Sequence, residues 1–72
     1  MSKPEDTRLA EVQLRVEEAL VVVERQRMVA LELQRNGQDA REAKRLLLHC
    51  IEILTHNQEE LDRIKQESDA NA

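Results

Sequence analysis

Asp39–Ile64 reads DAREAKRLLLHCIEILTHNQEELDRI, and its spacing decides the fold. Apolar or small residues fall at Ala40, Ala43, Leu47, Cys50, Leu54, Leu61 and Ile64, three and four apart, with only Asn57 interrupting. At about 100° per residue these positions make one narrow stripe along a helix. A stripe of that period is a coiled-coil seam, and a seam is stable only against another helix.

The partner lies immediately upstream. Nothing from Pro4 to Arg35 breaks a helix, and Asn36-Gly37 supplies the left-handed residue that commonly ends one. Ser2 with Glu5 reads as a capping box around Pro4 in the first turn, and Asp39 with Glu42 reads as a second box that restarts the helix at once. The spacing predicts helix 1 over about residues 3–36, a turn over 36–39, helix 2 over about 40–67 and a polar, frayed tail over 68–72. So short a connection forces the helices antiparallel. The chain reads as one all-α helical-hairpin domain.

A hairpin alone does not satisfy the apolar pattern. In helix 1, Leu9, Val12, Val16, Leu20, Val23, Ala30 and Leu31 gather on one side, and Leu20, Val21, Val22 and Val23 sweep nearly the whole circumference. Met28, Val29 and Leu33 widen the apolar surface further, and helix 2 carries Leu46, Leu48, Ile51 and Ile53 beside its seam. Stripes so wide exceed what one partner helix covers. The expectation is a homodimer forming a four-helix bundle. Its core and interface are assigned to Leu20, Val21, Val22, Val23, Met28, Leu31, Leu47, Cys50, Leu54, Asn57, Leu61 and Ile64.

Size and composition agree. Seventy-two residues enclose little core unaided, and the single cysteine, Cys50, rules out an intrachain disulfide. The chain contains no Phe, Tyr or Trp, its longest apolar run is Ala19–Val23, and its N-terminus lacks the apolar core of a signal peptide. A cytoplasmic protein without membrane association is expected. The formal net charge of −4 argues against general affinity for nucleic acid. The charge is uneven, however: Glu24–Arg45 carries six basic against four acidic residues, and Leu46 onward carries six acidic against two basic.

Few residues suggest chemistry. His49 and His56 lie two helical turns apart, about 10.5 Å, too far for one ion to bridge them within a helix. Cys50 belongs to the seam, where a thiol packs as a small hydrophobe. Asn57 in the seam and Arg27 amid helix 1's apolar face read as register devices, Asn57 needing a polar partner and Arg27 a carboxylate such as Glu24. No phosphate loop, catalytic triad or paired-cysteine metal motif is present. No catalytic residue, metal or cofactor is therefore assigned.

From Gln26 to Ile64 the chain resembles a group of short, uncharacterised bacterial helical-hairpin proteins. The resemblance is carried by Gln26, Val29, Leu33, Gly37, Asp39, Glu42-Ala43, Leu46-Leu47 and the Asp62-Arg63-Ile64 ending, and it is anchored at Gly37–Ala43. It implies a hairpin and no activity. The functional expectation is a non-enzymatic interaction or regulatory module that binds itself and an unidentified protein. The alternative is an RNA- or DNA-binding hairpin using Arg25, Arg35, Arg41, Lys44 and Arg45, ranked below because acidic residues are interleaved and aromatic rings are missing.

Overall fold

The computed structural model describes the backbone of residues 4–70 and the side-chain exposure of residues 7–67. Two helices, α1 (Pro4–Arg35, 32 residues) and α2 (Arg41–Ala70, 30 residues), pack side by side, with no strand among the described residues. Contacts near the turn (Gln26 with Ala43) and far from it (Arg8 with Glu60) show that the helices run antiparallel. The described part of α1 ends at Arg35, a residue short of expectation, whereas α2 continues to Ala70 instead of ending near residue 67. Ser68-Asp69-Ala70 is polar but contains no Gly or Pro, so nothing in it stops a helix. The predicted Ser2 cap and the last two residues of the tail lie outside the described residues.

The turn works through glycine. Gly37 has φ of 69°, and two reversed bonds close the end of α1: Gln38 N–H donates to Leu33 C=O (2.8 Å) and Gly37 N–H to Gln34 C=O (3.1 Å). Asp39 then caps α2, its Oδ1 accepting from Arg41 N–H at 3.0 Å. The expected box is only half built. The Glu42 carboxylate accepts from Arg45 Nη1 at 3.2 Å, one turn onward, and does not close the box at Asp39.

The α2 seam follows its sequence pattern. Ala40, Ala43 and Ile64 are buried, and Leu47, Cys50, Leu54, Asn57 and Leu61 are half-buried. The α1 seam differs from expectation. It passes through Leu9, Val12, Val16, Ala19, Val23, Gln26, Ala30 and Leu33, again alternating three and four. Leu20 and Leu31, read from the sequence as part of the main stripe, are exposed, and Ala19, Gln26 and Leu33 hold the positions facing α2. Arg27 is also outside the seam: it is exposed and meets Glu24 at 3.7 Å.

Within the seam, the polar Gln26 reaches across. Its Nε2 donates to the Ala43 carbonyl at 3.1 Å. Because the bond exists only where Gln26 lies beside Ala43, it marks the register that the sequence assigned to Asn57. The α1 seam residues nearest that level, Val12 and Val16, offer Asn57 no polar side chain.

Candidate interaction surface

The buried apolar set consists of Val12, Val16, Ala19, Val23, Ala30, Ala40, Ala43 and Ile64. Half are alanines, each worth little more than one methyl of burial, about 0.8 kcal/mol. Many large side chains are outside. Leu14, Leu20, Val21, Val22, Met28, Val29, Leu31, Leu46, Leu48, Ile51 and Ile53 are all exposed. The geometry makes this unavoidable, since the chain measures 54 × 21 × 13 Å and is one helix thick. A single layer encloses nothing on its broad faces.

Helical spacing sorts the exposed residues into three surfaces. Leu14, Val21 and Met28, seven apart, run along the back of α1 opposite its seam. One broad face of the hairpin carries Leu20 and Ile51 with Arg27, Lys44 and Lys65. The other carries Val22 and Val29 from α1 with Leu46 and Ile53 from α2, next to the Arg8–Glu60 ion pair, whose charges are 3.9 Å apart.

The residues singled out for chemistry are not assembled into a site. His49 and His56 are exposed, and among the described residues no group of His, Cys, Asp and Glu is arranged to hold a metal ion. Cys50 is a free, half-buried thiol within the seam.

The five basic residues are dispersed. Arg35 and Arg45 lie on the outer backs of different helices, and Arg25 and Lys44 lean toward opposite broad faces. Arg41 is committed to Asp39 through Nε and Nη2, the latter at 2.8 Å, and Arg45 to Glu42 at 3.2 Å. The Arg41 guanidinium, with a second bond from the Arg41 backbone N–H, holds the Asp39 carboxyl below its ordinary range, and Asp39 in turn raises Arg41.

Comparison with known proteins finds no family model, no curated protein and no solved structure that matches the chain. Nothing about the activity is therefore inherited, and the reading rests on the surface itself. Among the described residues no helix is long and apolar enough to cross a membrane.

Proposed function

We propose that the protein is a non-enzymatic, cytoplasmic homodimer in which two hairpins form a four-helix bundle, and that the bundle serves as a small protein–protein interaction or regulatory module. One observation carries this reading: eleven large apolar side chains lie exposed outside the hairpin, while half of its buried apolar set is alanine. A lone hairpin with that distribution leaves exposed what a folded chain ordinarily buries. Pairing two single layers converts the outer residues into a second core, the arrangement of a four-helix bundle.

Sedimentation equilibrium tests it. The expected species has twice the 8.4 kDa chain mass at micromolar concentration, and its melting midpoint rises with protomer concentration. A stably folded 8.4 kDa monomer overturns the proposal. Val21→Glu combined with Val22→Glu should weaken the dimer, because Val22 lies on the mixed apolar and charged broad face.

A further inference from the structure

A dimer covers one broad face of each hairpin, and the hairpin has two. Beside the seam on the Leu20 face stand Gln13, Leu20, Arg27 and Gln34, seven apart on α1, and Lys44, Ile51, Gln58 and Lys65, seven apart on α2. Farther out come Glu17, Glu24 and Leu31 from α1, and Arg41, Leu48, Thr55 and Asp62 from α2, all of them exposed. The Gln26–Ala43 and Arg8–Glu60 contacts set the levels: Leu20 lies within a turn of Leu48 and Ile51, and Arg27 within a turn of Lys44. The face therefore has an apolar centre, a basic end near the turn, and an uncharged stretch of Gln13, Thr55 and Gln58 toward the termini. Arg27, Lys44 and Lys65 are matched in number by Glu17, Glu24 and Asp62, and Arg41 is committed to Asp39. Such a face meets its own copy without net repulsion.

The layout also favours one orientation. Leu20 stands at the middle of α1, and a two-fold axis crossing the helices there puts the turns at opposite ends and lays like helix on like helix. Leu20 then meets Leu20, and Ile51 meets Ile51, of the second copy. Arg27 comes down on its Gln13, and Lys44 on its Thr55 and Gln58, whose side-chain oxygens accept from cations. Asp62 and Lys65 pass beyond the start of its α2. Glu17 and the Glu24 of the second copy share the solvated outer rim, where like charges are screened. An axis along the helices, with the turns together, instead sets Arg27 against Lys44 of the second copy on both sides, beside a Glu24 already paired with its own Arg27 at 3.7 Å.

We infer that assembly continues past the dimer: a further copy docks on the Leu20/Ile51 face with its turn at the opposite end. The two broad faces point in opposite directions, so contacts alternating between them never close on themselves, and dimers join into an open stack. Leu20 and Ile51 alone stand beside the seam as large apolar residues here, against Val22, Val29, Leu46 and Ile53 on the opposite face. This contact is therefore the weaker of the two and forms at higher concentration. With an outline of 54 × 21 Å, each face is large enough for the roughly 800 Å² per partner of a standard interface.

The stack rests on the dimer proposed above, and sedimentation separates the two claims. The parent mass should rise past twice the 8.4 kDa chain as concentration increases. Leu20→Glu with Ile51→Glu should stop at the dimer over the same range, with circular dichroism showing the helices intact. A parent that stays at twice the chain mass at every concentration overturns the inference and leaves the dimer standing, whereas a monomer throughout removes both. Larger species that survive the double substitution also overturn it. A second variant reads the orientation. In a Cys50→Ala background, Leu20→Cys should form a disulfide between copies under mild oxidation, which needs Cα atoms within about 7 Å. Turns together would set the two positions diagonally across the four helices, beyond that reach, so growth without the crosslink overturns the inferred orientation.

Discussion

Replacing Gly37 isolates the turn, because the structure separates the two costs a side chain there would meet. A Cβ built at Gly37 has nothing within 4 Å, so Gly37→Ala adds no clash. What remains is the backbone, where φ of 69° is left-handed and costs an L-residue about 1–2 kcal/mol. For a chain of this size about 1 kcal/mol lowers the melting midpoint by about 4–8 °C. In a dimer both the energy and the unfolding entropy double, so the shift per substitution is preserved.

The mirror-image residue reverses the sign. D-alanine accepts positive φ without strain and restricts the unfolded chain, so at position 37 it should stabilise by about 0.4–1 kcal/mol. Gly37→Asn should fall between glycine and Gly37→Ala, because asparagine tolerates the left-handed region. Thermal melts of the four proteins at one concentration provide the assay. Equal midpoints for glycine and L-alanine, or destabilisation by D-alanine, would refute a left-handed residue at the turn.

Cys50 should react with DTNB more slowly in native buffer than in denaturant, and Cys50→Ala should cost about 1 kcal/mol in a denaturant melt through the cavity it leaves. Asn57→Leu should raise stability by on the order of 1 kcal/mol, read from the urea midpoint, because a half-buried amide facing the valines of the α1 seam gives way to an apolar seam residue. The Asp39 carboxyl titrates below its ordinary value of 3.8 in the folded chain. Its contribution is therefore present above that value and is lost as pH falls through the folded one. Asp39→Asn should melt below the parent at pH 7, and the gap should narrow under more acidic conditions, with a pH-independent gap refuting the ion pair. Fluorescent RNA and duplex DNA titrated at about 150 mM salt should show no saturable sub-micromolar binding. Tight binding abolished by Arg41→Glu with Arg45→Glu would instead favour the nucleic-acid reading.

The sequence by itself determined the hairpin. Local chemistry suffices for that: an uninterrupted helical pattern, one glycine where the chain must turn left-handed, one aspartate to restart the helix, and an α2 seam with a single polar break. Only the tertiary structure decided which face of α1 meets α2. Leu20, Val21, Val22 and Val23 sweep nearly all the way round α1, so its apolar pattern points nowhere in particular. The antiparallel fit is instead decided by packing, which prefers small Ala19 and Ala30 at the contact and turns the bulkier Leu20 and Leu31 outward. The signal that could have located this seam was its alternating three-and-four spacing through Val12, Val16, Val23 and Ala30, which runs through the polar Gln26. A polar residue at a seam position appears in a sequence as an exception, and only its bond to the Ala43 carbonyl shows it to be part of the contact.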